Sequence, residues 1–217
     1  MGTTILACTY KDGVILAADT RTSAGSFAWS RGTNKLTKLS DKIYCCRSGS
    51  AADTQFLADY VAHLLDSHAI ETGTEPTVET ASRLFQLLCY YNKYSLLAGI
   101  IVAGWDESDR PKIWNNPVGG ARIPMDFCMG GSGSTFLYGW ADENWKPDMT
   151  KEEAIQFMRR AVSLAISRDA SSAGMARTLI INKDGVEHST LSWKEHEWKL
   201  ETAPLFNKLV NPTNDQF

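Results

Sequence analysis

MGTTILACTYKDGVILAADTRT, residues 1–22, decides the fold. Two apolar runs, Thr3 to Tyr10 and Val14 to Asp19, flank Lys11-Asp12-Gly13, whose turn chemistry predicts a β-hairpin. Both runs are nearly continuous (TILAC, VILAA) rather than alternating, as expected of strands covered on both faces. The first strand starts at a chain end, where sequences are ordinarily frayed and polar. Gly2-Thr3 is therefore expected to be anchored for a reason.

Outward from this hairpin, NKLTKLSDKIYCCRSGS (34–50) predicts a second strand pair, with Cys45 and Cys46 on opposite faces. In the stretch that follows, Phe56, Leu57, Tyr60, Val61, Leu64 and Leu65 recur at helical spacing. Pro76 is expected to open a second helix with Leu84, Leu87, Leu88 and Tyr91 on its apolar face. Strands return at Ala98 to Trp105, near Ile113 and at Phe127 to Met129. Thr150 and Glu153 have capping-box spacing at the head of a third long helix through Ile155, Met158, Val162 and Ala165. A last hairpin turns at Asp184-Gly185. Strands and helices are grouped rather than alternating, which favours an α+β fold over a doubly wound parallel sheet. Two stacked antiparallel sheets with helices on both outer faces, a four-layer αββα sandwich, would bury every apolar face.

Composition narrows the function classes. The 217 residues suit one domain; 43% are hydrophobic and 22% charged, ordinary for a globular protein. A net charge of -3 gives no basic footprint for nucleic acid. The longest apolar run, Leu96 to Trp105, is too short to span a bilayer, and the start lacks the basic flank of a signal peptide. Five cysteines without a CxxC argue against a disulfide framework or zinc site and for the cytoplasm or nucleus. No metal and no cofactor is expected.

Common catalytic motifs are missing. GGSGSTF lacks the third glycine of a dinucleotide loop, no Gly-x-Ser-x-Gly elbow occurs, and the four histidines include no metal-like pair. A hydroxyl nucleophile without histidine needs another proton acceptor. A terminal α-amine, with an ordinary pKa of roughly 7.7–8.0, is one. Removal of Met1-Gly2 would make Thr3 both nucleophile and base. Taken singly, Asp19 and Lys35 read as an ordinary ion pair, and Ser132 and Asp169 as turn and cap residues. Their joint occurrence with Gly-Thr at the start reverses that preference.

In order, residues 3–27, 34–55, AGIIVAGWD (98–106), GGSGSTFLYG (130–139), 149–174 and GVEH (185–188) resemble a proteasome core-particle beta subunit. The likeness covers Gly2 to about Leu191, and CCRSGS resembles most the beta-1, caspase-like, catalytic type. It implies the sandwich of an N-terminal nucleophile hydrolase and a threonine endopeptidase cutting after acidic residues in ATP- and ubiquitin-dependent degradation. Cleavage between Gly2 and Thr3 would expose the nucleophile, Thr3. Asp19 and Lys35 correspond to the pair beside it, Ser132, Asp169 and Ser172 to the group orienting the amine, and Gly49 to the oxyanion-hole donor. Thr22, Thr33, Arg47, Ala51 and Gln55 correspond to the substrate pocket. Implied partners are the other beta subunits and the alpha subunits of a stacked four-ring particle, with unfolded polypeptides as substrates and neither nucleic acid nor membrane.

The expected organisation is a short propeptide (1–2), a hydrolase domain (3–191) and a C-terminal arm (192–217) contacting neighbouring subunits, a flexible tail being the alternative. Ala173 departs from the family's usual glycine. Two other functions stay open: a catalytically silent ring subunit if Met1-Gly2 is retained, and an N-terminal nucleophile amidase acting on small molecules.

Overall fold

The computed structural model describes residues 2–24, 27–106 and 110–191. Segment 192–217, expected to form a contacting arm, and Met1 lie outside the described residues. Strands β1 (Ile5–Tyr10) and β2 (Gly13–Asp19) form the expected hairpin, with Ile5 opposite Ala18 and Tyr10 opposite Gly13. A short pair, β3 (Thr22–Ala24) and β4 (Phe27–Ser30), precedes the second hairpin, β5 (Leu36–Ser40) and β6 (Ile43–Gly49). Helices α1 (Ala51–Thr72) and α2 (Val78–Tyr91) follow, then strands β7 (Ala98–Trp105), β8 (Pro111–Asn116), β9 (Ile123–Pro124) and β10 (Phe127–Gly130). A 3-10 turn at Ser132–Phe136 leads into α3 (Tyr138–Asn144) and α4 (Lys151–Arg168), and β11 (Ala176–Asn182) and β12 (Gly185–Leu191) close the described chain.

Apart from the two-stranded β3-β4 pair, the strands form two five-stranded antiparallel sheets, in the orders β10-β1-β2-β11-β12 and β5-β6-β7-β8-β9, and the fold is α+β. Alternation of side chains along a strand explains the unbroken apolar runs. Leu6, Cys8, Ile15 and Ala17 point from the first sheet onto α4, packing with Met158, Val162 and Ala165. Their neighbours Ile5, Ala7, Leu16 and Ala18 point the other way and meet Tyr44, Cys46, Ile101 and Ala103 of the second sheet. Cys45 faces α1 and α2 instead, with Ile100, Val102, Leu57 and Phe85, so the two adjacent cysteines do take opposite faces.

The helix ends follow local chemistry. The Ser50 side chain accepts from Asp53 N to start α1, and Gly73, at φ 68, ends it in the left-handed conformation. Thr150 and Glu153 form the expected capping box. Two helical faces differ from expectation. On α1, Leu57, Ala58, Val61 and Leu65 are buried, whereas Phe56 and Tyr60 are exposed and stack on each other with centroids 6.1 Å apart. On α2 the buried row is Val78, Ala81, Ser82, Phe85 and Cys89, and Tyr91 is exposed. Pro76 lies before the N-cap, Thr77, rather than in the first turn. On that buried row Ser82 Oγ donates to the buried Asn116 Oδ1 at 2.9 Å. A periodicity weighted by large apolar side chains selects the adjacent row.

Candidate active site

The register brings one end of each sheet together. Residues just before β1, the end of β2, the end of β10 and the start of β11 are neighbours, because Ile5 faces both Ala18 and Gly130 and Ala176 faces Asp19. From the second sheet come Lys35, immediately before β5, and Arg47 and Gly49 at the end of β6. Thr3 lies between these groups and is buried.

Thr3 carries two distinct sets of contacts. On its side-chain flank, Lys35 Nζ donates to Thr3 Oγ1 at 3.1 Å, to Asp19 Oδ1 at 2.7 Å and to the Gly2 carbonyl at 3.4 Å. Thr3 Oγ1 itself donates to that carbonyl at 2.7 Å. The Lys35 and Asp19 side chains are only 7% and 0% exposed, so the pair is a buried one, costly unless fully satisfied. Asp19 is satisfied: it also accepts from Thr4 N at 2.9 Å, Arg21 N at 3.1 Å and Ala173 N at 3.3 Å. Burial pushes the Lys35 ammonium below its ordinary pKa, with the charge of Asp19 opposing the shift.

On the backbone flank, Thr3 N donates to Ser132 Oγ at 3.2 Å. Ser132 Oγ and Ser172 Oγ each donate to Asp169 Oδ2 at 2.7 Å, and Ser171 N donates to Oδ1 at 2.9 Å. Burial works against the Asp169 charge, but these hydrogen bonds outweigh it and hold the carboxyl below its ordinary 3.8. Asp169 is the C-cap residue of α4, and Ser132 opens the 3-10 turn after a glycine pair. With Gly2 attached, the Thr3 nitrogen is an amide and carries no basic lone pair.

In front of Thr3 a cleft is lined by Thr22, Thr33, Arg47, Gly49 and Ala51. Gln55 is exposed and does not line it; Thr54, one residue earlier on α1, does, because the helix turns that side chain inward. Arg47 is half-buried and held by neutral oxygens: Nε donates to Thr37 Oγ1 at 2.8 Å, Nη1 to Thr54 Oγ1 at 3.5 Å and Nη2 to the Asn34 carbonyl at 2.8 Å. Gly49 has φ 105, and a Cβ there would meet the Leu97 carbonyl oxygen at 2.3 Å, so only glycine fits this strand end. Arg21, Ser23 and Thr54 also line the cleft, and Thr4 contacts Asp19 and Ser172; sequence reasoning passed over all four. Only Thr4, the second half of a Thr-Thr pair, offered a signal. Among the described residues no cluster of histidine, cysteine and carboxylates is placed to hold a metal ion.

Residues 1–181 match the family model described as "Proteasome subunit". The chain is 50% identical over 191 residues to proteasome subunit beta type-6 of Dictyostelium discoideum, covering 88% of this chain and 89% of that one. It is 50% identical over 215 residues to proteasome subunit beta type-6 of Arabidopsis thaliana, covering 99% and 92%. To proteasome subunit beta type-1 of Saccharomyces cerevisiae it is 46% identical over 197 residues, covering 91% of each. The chain belongs to the proteasome subunit family, and within it to the beta subunits of the core particle.

Proposed function

We propose that this subunit is a threonine endopeptidase with the αββα architecture of N-terminal nucleophile hydrolases, and that it cuts polypeptides after acidic residues. The observation that carries the proposal is the 3.1 Å contact between Lys35 Nζ and Thr3 Oγ1, backed by the buried Asp19 carboxylate. Residues 1–2 are the segment to be removed and residues 3–191 the catalytic domain. Addition of water across the Gly2–Thr3 bond leaves Gly2 as a carboxylate and the Thr3 nitrogen as an amine. That amine takes the Thr3 hydroxyl proton as the oxygen attacks a substrate carbonyl. The Gly49 N–H faces the developing oxyanion. Collapse, with that proton passed from the amine to the leaving nitrogen, releases the new amino terminus and leaves an ester on Thr3, which a water then hydrolyses. Lys35, as a neighbouring cation, disfavours the protonated form of the amine and keeps it a base near neutral pH.

Acidic specificity rests on Arg47, whose guanidinium stays charged and can grip a carboxylate through two N–H groups. The substrates are unfolded chains delivered by ATP- and ubiquitin-dependent degradation. The subunit works beside other beta subunits and alpha subunits in a four-ring particle, in cytoplasm and nucleus. All five of its cysteines are buried free thiols, as suits a reducing compartment.

Particles carrying Thr3→Ala test the assignment, together with the intact mass of the wild-type subunit. The expected results are loss of cleavage after Glu with particle yield unchanged, and a wild-type mass beginning at Thr3. Wild-type particles that retain Gly2 and are inert on the Glu peptide would make this a silent ring member.

A further inference from the structure

We infer that Thr4 is a positioning residue that joins the two flanks of the site and, through Ser172, holds the Asp169 carboxylate that orients Ser132 beside the Thr3 nitrogen. Its kinetic consequence rests on the proteolytic reading above. Thr4 is fully buried. Its N–H donates to Asp19 Oδ1 at 2.9 Å, on the Lys35 flank. Its Oγ1 lies 2.7 Å from Ser172 Oγ, on the Asp169 flank.

Proton counting fixes the polarity. A serine hydroxyl has one proton. Ser172 gives its proton to Asp169 Oδ2, so the Thr4 hydroxyl must donate to Ser172. Ser132 likewise gives its proton to Asp169 Oδ2, so Ser132 presents lone pairs to the Thr3 nitrogen. Every hydroxyl in the chain then points toward the carboxylate, and the Thr3 nitrogen meets an acceptor. Once that nitrogen is an amine, an acceptor there engages an N–H and leaves the amine lone pair for the nucleophile's proton. Ser172 is buried, so without Thr4 its oxygen would lose its donor with no water to replace it. The backbone is shaped around the hydroxyl pair: a Cβ on Gly133 would sit 1.9 Å from Thr4 Oγ1 and 3.0 Å from Ser172 Oγ.

The test compares assembled particles carrying Thr4→Val, which keeps shape and deletes the hydroxyl, with Thr4→Ser, which keeps the hydroxyl. The probe is a peptide with Glu before the cut, read as kcat and KM separately. Thr4→Val is expected to lower kcat on the order of tenfold, the effect of one buried hydrogen bond, with KM unchanged. Thr4→Ser restores kcat. A wild-type kcat in Thr4→Val, or a Thr4→Ser particle as impaired as Thr4→Val, overturns the inference. Should Thr4→Val fail to assemble, Thr4→Ala deletes the same hydroxyl at smaller volume and is held to the same kcat and KM outcomes. An inert wild-type particle defeats the proteolytic reading, a result distinct from any of these.

Discussion

Replacing Arg47 by leucine should change which peptides are cut while leaving the particle intact. Of the five N–H donors of the Arg47 guanidinium, three are taken by Thr37 Oγ1, Thr54 Oγ1 and the Asn34 carbonyl. One N–H on each terminal nitrogen remains, the spacing that takes a carboxylate with two parallel bonds. Hydrogen bonds to charged groups contribute about 1.5–3 kcal/mol, and each 1.4 kcal/mol is tenfold, so the loss on a Glu peptide is roughly 10- to 150-fold in kcat/KM. The fold should tolerate the change. Arg47 is half-buried at a cleft that water enters, and Thr54 keeps its own bond to the Ser50 carbonyl at 2.8 Å. A pair of peptides differing only in Glu or Leu before the scissile bond, assayed on wild-type and Arg47→Leu particles, reads the effect. The Glu-to-Leu ratio should collapse because the Glu rate falls and the Leu rate holds or rises. An unchanged ratio, or an equal fall on both peptides, would refute the assignment of Arg47 to specificity.

Acid should destabilise the subunit partly through Asp169. Its carboxyl is held below the ordinary 3.8 in the folded chain, so its contribution is complete above that value and is lost as pH falls through the lower folded value. Asp169→Asn should therefore flatten the stability-versus-pH curve of the particle below about pH 4, measured by thermal unfolding, and a curve parallel to wild type there would contradict the reading. The thiols should be inert in the native state: all five are buried, and burial pushes Cys8 and Cys45 up to about 12. A thiol reagent at pH 8 should label none until denaturant is added, when mass spectrometry should count five; rapid native labelling would show the core to be more open than described.

The local sequence determined the first strand hairpin, because two short continuous apolar runs and the Lys-Asp-Gly turn between them are short-range physics. It determined the capping box of α4 for the same reason. Thr3, Asp19, Lys35, Ser132, Asp169 and Ser172 could be named from motif order, but their meeting was decided by the sheet register. Thr3 and Ser132 are 129 positions apart, and Thr4 and Ser172 are 168 apart. No local pattern encodes such a bond; it exists because β1 lies between β10 and β2 and α4 ends beside them. Helix phase was likewise settled in three dimensions. Thr54 rather than Gln55 faces the cleft, and Phe85 rather than Leu84 fills the core, because a helix rotates about 100° per residue and the row it buries is chosen by the sheet it packs on. The sequence alone thus determined the long strands and helices and which residue types could do chemistry, while the short β3, β4, β9 and α3 went unread because so few residues carry no periodicity. Tertiary structure decided which of them touch, and in which direction each hydroxyl must point, because long-range register and the single proton on each hydroxyl fix those choices only once the chain has closed.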